Sequence, residues 1–141
     1  MTPEKIAALL SKTHVAIVGV NRTNGGPQLT PVRFFWDGKT FYFSTTTERA
    51  KYANIKRNPS ITLMVDDPRG YIVAYGKAEI IETGFTDLVR PIIEKYMPDR
   101  IEAGMAIATQ PNRVLVLLRP ERLLGNEDAL QFAQPSGSRH D

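Results

Sequence analysis

Short runs of β-branched and aromatic residues alternate along the chain with Gly, Pro, Asn and Asp. Runs of this length and composition predict β-strands. An Asp37-Gly38 pair between two of the runs is a strong signal for a two-residue hairpin. Hairpins produce antiparallel sheets, and a small barrel removes the edges that apolar strands would otherwise expose. The strands are predicted over residues 14–20, 28–36, 40–45, 61–65, 71–81 and 113–118.

Some positions inside these runs predict irregularities. Pro31 has no backbone N–H for a ladder, so its strand is expected to be an edge strand or to bulge there. Gly76 predicts a bend or a bulge in the longest run. Arg119-Pro120 predicts the end of the last strand.

Helical patterns separate several of the strands. Thr2 and Pro3 are typical of an N-cap and a first helical residue. Asn58-Pro59 ends the second helix, and Pro98 divides the last two. The helices are predicted over residues 3–11, 48–58, 84–97 and 99–108. The chain is therefore predicted to be a mainly β protein with helices (α+β), with one domain over residues 1–133 and a flexible C-terminal tail at 134–141.

Composition narrows the function classes. The chain has 141 residues and no cysteine, which excludes disulfides, thiolate zinc sites and thiol nucleophiles. No apolar run is long enough to span a bilayer, and the start lacks the pattern of a signal peptide. A cytoplasmic protein with no membrane partner is expected. The net charge of +3 is a mild bias towards anions.

The segment from 44 to 59 carries the clearest chemical signal. Hydroxyl residues end a strand, and Arg49 and Lys51 follow in the first turn of a helix. Cations at this end oppose the helix dipole. Free amides, hydroxyl donors and two cations together make a good anion site, and a phosphate is its natural occupant. The alternative is a solvated basic helix face on which Thr46 or Thr47 acts only as a cap.

A second reading is a small barrel that binds single-stranded nucleic acid. Its stacking platforms would be a set of aromatic residues around the hairpin. Because those residues alternate between the two faces of their strands, most are more simply explained as core, and no nucleic-acid partner is predicted. The set is Phe34, Phe35, Trp36, Phe41 and Tyr42.

No catalytic side chain and no metal site are predicted. His14 begins an apolar strand and His140 lies in the tail. Asp66 and Asp67 are interpreted as turn residues. If a proton donor to substrate is needed, Tyr75 or Tyr42 is the candidate.

The order of segments resembles the pyridoxamine-phosphate-oxidase-like superfamily, and within it the branch of deazaflavin-dependent reductases. The likeness covers roughly residues 5–122. It is carried by Gly26-Pro27-Gln28-Leu29-Thr30-Pro31-Val32 with Asp37-Gly38, by Phe41-Tyr42-Phe43-Ser44-Thr45-Thr46, by Arg49-Ala50-Lys51-Tyr52-Ala53-Asn54-Ile55-Lys56-Arg57-Asn58-Pro59, and by Arg113-Val114 and Arg119-Pro120-Glu121-Arg122.

The resemblance implies a split β-barrel (the FMN-binding split barrel) that holds its cofactor between the two subunits of a homodimer. The dimer surface is expected around residues 34–36 and 73–75. The end of the strand before the second helix would donate hydrogen bonds to the phosphoribityl part of the cofactor. The start of that helix would supply cations for the cofactor phosphate, and a neighbouring strand would border the cofactor ring. The implied cofactor-binding residues are Gln28, Thr30, Pro31, Val32, Ser44, Thr45, Thr46, Arg49, Ala50 and Lys51.

The chain departs from this family in one place. Many relatives have a tryptophan near the cofactor, where this chain has Leu123, Leu124 and Gly125. The helical insert at 84–108 varies among relatives, so the resemblance assigns no site residue there.

The resemblance also implies an oxidoreductase that transfers hydride between F420, a deazaflavin, and a small organic substrate. An FMN-dependent oxidoreductase and a non-catalytic carrier of F420 or FMN are the alternatives. F420 bears a polyglutamate tail, which would favour extra cations. Candidates are Arg22, Arg33, Lys56 and Arg57.

Overall fold

The strands form one antiparallel sheet. The computed structural model describes residues 2–127, so the predicted tail and His140 lie outside the described residues. The elements in this part of the chain are α1 (Pro3–Leu10), β1 (Ala16–Val20), β2 (Gln28–Val32), β3 (Phe34–Trp36), β4 (Phe41–Thr46), α2 (Ala50–Arg57), β5 (Ser60–Asp67), β6 (Gly70–Ile81), α3 (Thr86–Tyr96), α4 (Ile101–Ala108) and β7 (Arg113–Glu127).

The sheet curls into a half-barrel because its two edge strands are neighbours in sequence. The strand order is β2-β1-β5-β6-β7-β4-β3. The edge strands β2 and β3 are separated along the chain by Arg33 alone, so the two edges of the sheet meet there. The single strand predicted over 28–36 is therefore wrong at Arg33, where the chain changes its partner from β1 to β4.

The irregularities at Pro31 and Gly76 are confirmed. Pro31 lies on edge strand β2, opposite Ile17. The register of β6 against β7 shifts between Tyr75 and Gly76, so β7 carries the extra residue of a bulge. A Cβ at Gly76 would lie 2.9 Å from the carbonyl oxygen of Arg119, so this close approach of two backbones requires glycine.

The predicted end of the last strand is wrong. β7 continues through Arg119-Pro120 to Glu127. Pro120 lies opposite Gly76 at the bulge, where the ladder is already interrupted and a missing N–H is tolerated. Beyond the bulge, Leu123 and Leu124 pair with β6, so this segment belongs to the sheet.

Two apolar clusters hold the fold together. The first fills the concave side of the sheet, and the second lies between the sheet and the helices α3 and α4. Phe34 and Phe41 are fully buried in the first cluster, with ring centroids 5.9 Å apart. Phe35 and Tyr42 pack on the second cluster. The core interpretation of these aromatic residues is confirmed.

Polar contacts fix α3 against the barrel. Lys95 Nζ donates to the carbonyl oxygens of Leu10, at 2.8 Å, and Phe34, at 3.1 Å. Burial lowers the pKa of Lys95 to about 8. The Tyr96 hydroxyl donates to the carbonyl oxygen of His14. The N-terminal helix, an edge strand and α3 are thereby joined at one end of the barrel.

The acidic pair at the end of β5 differs from the prediction. Asp66 and Asp67 belong to the strand rather than to the turn. The Asp67 side chain is 3% exposed, and its Oδ2 lies 3.1 Å from Lys12 Nζ and 2.7 Å from His14 Nε2. The backbone N–H of Arg69, also bonded to this carboxylate, and the His14 contact hold the pKa of Asp67 well below its usual range. Asp67 thus joins the start of the sheet to the β5–β6 turn.

We expect Asp67→Asn to lower the free energy of unfolding by about 2–3 kcal/mol at pH 7, because charge-assisted hydrogen bonds to a buried carboxylate are lost. A group with a lowered pKa stabilises the fold above its unfolded pKa and loses that effect as the pH falls. The difference should therefore shrink below about pH 4. Urea unfolding measures it, and Asp66→Asn, at an exposed position, is the control. Equal losses in the two variants would contradict the role of Asp67.

Candidate functional site

The β4–α2 corner presents several hydrogen-bond donors and one acidic residue, Glu48. Arg49 is the N-cap residue of α2, no side chain caps the helix, and its first turn contains no acidic residue. The nearby Glu48 side chain is turned to Asn112, whose Nδ2 lies 2.9 Å from its Oε1. The backbone N–H groups of Arg49 and Tyr52 donate to carbonyl oxygens within the corner, so those of Ala50 and Lys51 remain available to an anion.

A cleft of about 380 Å³ opens at this corner. That volume lies within the range of small-molecule sites. The lining comes from β2 and the following residue, β4, the start of α2, both inserted helices and the first residue of β7. The lining residues are Pro31, Val32, Arg33, Ser44, Thr45, Thr46, Arg49, Lys51, Val89, Ile92, Ile93, Met97, Gly104, Ile107, Ala108 and Arg113.

The charged residues that line the cleft are all cations. They are Arg33, Arg49, Lys51 and Arg113, and no Asp or Glu is among the lining residues. Four cations without a carboxylate in the lining create a positive potential that favours binding of an anion.

Several donors in the cleft have no acceptor among residues 2–127. Lys51 is 3% exposed, and burial together with the charge of Arg49 lowers its pKa. Thr45 is 4% exposed, and its Oγ1 has no hydrogen-bond partner. Arg113 Nε is also without a partner, although Arg113 Nη1 donates to Ser44 Oγ at 3.4 Å. Buried polar groups are normally satisfied, so these donors fit a phosphate.

The opposite wall of the cleft is apolar and comes from the helical insert. Its residues are Val89, Ile92, Ile93, Met97, Ile107 and Ala108, with Gly104 between them. Sequence reasoning assigned nothing to these helices. The available signal was the clustering of apolar residues on one face of α3, which predicts packing but does not reveal that the face also borders a cleft.

The structure brings together seven of the residues named from sequence: Pro31, Val32, Ser44, Thr45, Thr46, Arg49 and Lys51. Gln28, Thr30 and Ala50 do not line the cleft. Arg113 does line it and was not predicted as a site residue. Its signal was the Arg113-Val114 pair at the start of the last strand, but sequence alone does not place Arg113 beside Thr46, its partner in the ladder.

The tyrosines considered as proton donors lie elsewhere. The Tyr42 hydroxyl donates to Asp37 Oδ2 at 2.7 Å, and burial with this contact raises the pKa of Tyr42. Tyr75 is 41% exposed and, like Tyr42, is not among the residues that line the cleft. Over residues 2–127, no three His, Asp or Glu side chains are grouped so that they could hold a metal ion. No helix in that range is long and apolar enough to cross a membrane.

The outer face of the sheet carries an apolar row that ends at the cleft. The ladder places Leu124, Val73, Met64, Ile17 and Pro31 side by side across five strands. Ile17, Met64 and Leu124 are 38%, 37% and 39% exposed. Pro31 also lines the cleft, so the apolar row and the cleft share an edge.

Comparison with known proteins agrees with this fold. An F420 reductase structure is similar with 27% sequence identity and a TM-score of 0.66, over 83% of this chain and 94% of that one. A conserved hypothetical protein from Mycobacterium tuberculosis superposes with a TM-score of 0.81 at 20% identity, over 100% of this chain and 93% of that one. A putative pyridoxamine 5'-phosphate oxidase from Listeria innocua has a TM-score of 0.69 at 22% identity, over 86% and 95% of the two chains.

The sequence comparison identifies the family. Residues 2–126 match the pyridoxamine 5'-phosphate oxidase family. The match spans all the helices and nearly all of the sheet, including the corner that lines the cleft. The chain therefore belongs to the pyridoxamine 5'-phosphate oxidase family, whose split β-barrel it shares.

Proposed function

We propose that the chain is a cytoplasmic, homodimeric oxidoreductase that binds F420 in this cleft and reduces a small organic substrate. The observation that carries the proposal is the cleft itself, in which four cations and a buried hydroxyl face no carboxylate. When bound, the cofactor supplies the hydride, and the protein binds, orients and excludes water.

The polar side of the cleft would hold the phosphate. Lys51 and Arg49 neutralise its charge, and Ser44, Thr45 and Thr46 offer hydroxyl donors within the same lining. Arg113, already in contact with Ser44, adds a guanidinium. Charge-assisted hydrogen bonds of this kind are about twice as strong as neutral ones.

The apolar side of the cleft would hold the ring and keep water away from it. No His, Asp or Glu is among the lining residues, and Lys51, whose pKa is lowered by burial, is assigned to the phosphate rather than to proton transfer.

The choice of F420 over FMN has two supports. One is the likeness to an F420 reductase at 27% identity. The other is Arg33, an exposed cation at the cleft with no acidic partner among the described residues, which suits the acidic tail of F420. Its guanidinium carbon lies 5.5 Å from the centroid of the Tyr96 ring. FMN would use the same phosphate donors, so an FMN-dependent oxidoreductase and a carrier remain the alternatives.

The other cations considered for the tail have partners elsewhere. Lys56 Nζ lies 2.7 Å from Glu82 Oε2. Arg57 Nη2 donates to the carbonyl oxygen of Asn21 at 2.6 Å, and Arg22 Nε to that of Gly26 at 2.7 Å. Arg33 is therefore the residue on which the tail hypothesis depends.

A second copy of the chain is the proposed partner of the outer face. The apolar row of Leu124, Val73, Met64, Ile17 and Pro31 crosses five strands, is partly exposed, and reaches the cleft at Pro31. A dimer formed there would cover the exposed side of the cofactor. The dimer surface expected around residues 34–36 is less suitable, because Phe34 is fully buried within the subunit.

Parallel fluorescence titrations with F420 and FMN test the proposal. We expect tighter binding of F420, and Arg33→Gln should reduce that advantage while changing FMN affinity less than about twofold, because FMN has no acidic tail. Arg22→Gln, outside the cleft, is the matched control.

Steady-state turnover with reduced cofactor and a panel of enones, quinones and tetrapyrroles then separates a reductase from a carrier. Tighter FMN binding would favour the FMN alternative, and binding of neither cofactor would refute the proposal.

A further inference from the structure

Close packing of α3 against α4 shapes the apolar wall of the cleft. Gly104 is buried in α4 and lies among the lining residues. A Cβ at this position would be 2.6 Å from Ile93 Cγ2 and 3.1 Å from Met97 Sδ, both on the α3 side. Because carbon atoms in contact stay about 3.5–4.0 Å apart, any side chain at 104 requires a shift of roughly 1 Å.

Ile93 has little freedom to make that shift. Its Cγ2 is attached directly to Cβ, and a β-branched side chain in a helix has one strongly preferred rotamer. The movement must therefore involve the whole of the Ile93 side chain or α3 itself. Both Ile93 and Met97 line the cleft, so either movement changes its width.

The presence of glycine inside α4 also calls for a reason. Glycine weakens a helix interior relative to alanine, and α4 is short, running only from Ile101 to Ala108. Its backbone φ is not in the left-handed region, so the conformation alone does not demand glycine. The close contact with Ile93 is what requires glycine at this position.

We propose that Gly104 keeps the cleft wide enough for a planar cofactor ring, because it lets α3 and α4 approach and keeps Ile93 and Met97 clear of the ring compartment. This inference rests on the proposed function. It assigns the apolar α3–α4 side to the planar ring and the β4–α2 side to the phosphate. A change at 104 should therefore affect ring binding and spare phosphate binding.

The test compares ligands with and without a ring. In Gly104→Ala, we expect the Kd for FMN and for F420 to rise at least tenfold, while the Kd for inorganic phosphate, measured by calorimetry, changes less than twofold. Adding Ile93→Ala removes the clashing methyl group and should restore ring affinity to within threefold of the wild type. Adding Ile93→Val instead keeps Cγ2 and should not restore it.

Each outcome separates the two proposals. A folded Gly104→Ala protein with unchanged ring affinity overturns the role of Gly104 and leaves the proposed function intact. Equal losses for the ring ligands and for phosphate also overturn it. A wild-type protein that binds phosphate but neither ring cofactor refutes the proposed function and the ring compartment together. If Gly104→Ala fails to fold, the Gly104→Ala/Ile93→Ala protein decides, and loss of its ring affinity counts against Gly104.

Discussion

Replacing Lys51 with methionine should weaken binding of F420 and FMN by about 1.5–3 kcal/mol, a roughly 10- to 150-fold rise in Kd. Lys51 is 3% exposed as a residue, is near the charge of Arg49, and has no acceptor for its ammonium among residues 2–127, so a phosphate bound there would gain a charge-assisted hydrogen bond. Methionine has a similar length and no charge. Because a buried unpaired charge is costly, the variant should be at least as stable as the wild type, which separates loss of binding from loss of fold.

The pH dependence of binding provides an independent check on Lys51. Burial and the charge of Arg49 lower its pKa, so it loses its proton at a lower pH than an ordinary lysine. A bound anion favours the charged form, and the affinity of the wild type should therefore fall as the pH rises through that pKa. In the Lys51→Met protein, affinity should not show this fall with rising pH.

The control for Lys51 lies on the same helix. Lys56 is exposed and paired with Glu82, and it is not among the residues that line the cleft. Lys56→Met should leave both affinities within about twofold of the wild type. If the Lys51→Met and wild-type proteins bind the cofactors with equal affinity, the phosphate binds at a site that does not include Lys51.

The sequence predicted the strands well where local chemistry decides them. Asp37-Gly38 marks a hairpin, Pro31 marks an edge, and Gly76 marks a bulge, because each residue type has a backbone property that few structures accommodate. The error at Pro120 is instructive. Proline ends a regular strand, but here it lies opposite Gly76 in the bulge, and that pairing joins residues more than forty positions apart.

The candidate site was predictable on one side only. Ser44 to Lys51 are close in sequence, so hydroxyls and cations next to a helix start could be recognised as one group. Arg113 comes beside Thr46 only through the β4–β7 ladder, and Ile93 and Ile107 reach the cleft only through packing of the helical insert. Burial of Lys51 was likewise invisible, because a lysine at that position of an isolated helix would extend into water.

The second large effect should come from the outer face of the sheet. We expect Met64→Lys to convert the proposed dimer to a monomer at micromolar concentration, as measured by light scattering. Met64 lies in the middle of the apolar row, next to Ile17 and Val73, and is 37% exposed. In a symmetric dimer each substitution occurs twice, and two unpaired charges in an apolar interface cost about 3 kcal/mol or more. Because its side chain points away from the core, the subunit itself should remain folded.

The same substitution connects assembly with cofactor binding. Since the row meets the cleft at Pro31, loss of the partner should expose the ring and raise the Kd for F420 and FMN at least tenfold, while the phosphate donors at the β4–α2 corner stay in place. Ala8→Lys adds the same charge at an exposed position of α1, outside the row and the cleft, and should change neither assembly nor affinity. A Met64→Lys protein that remains dimeric would show that the subunits pair through another surface. A monomeric one with full ring affinity would show that one subunit holds the cofactor alone.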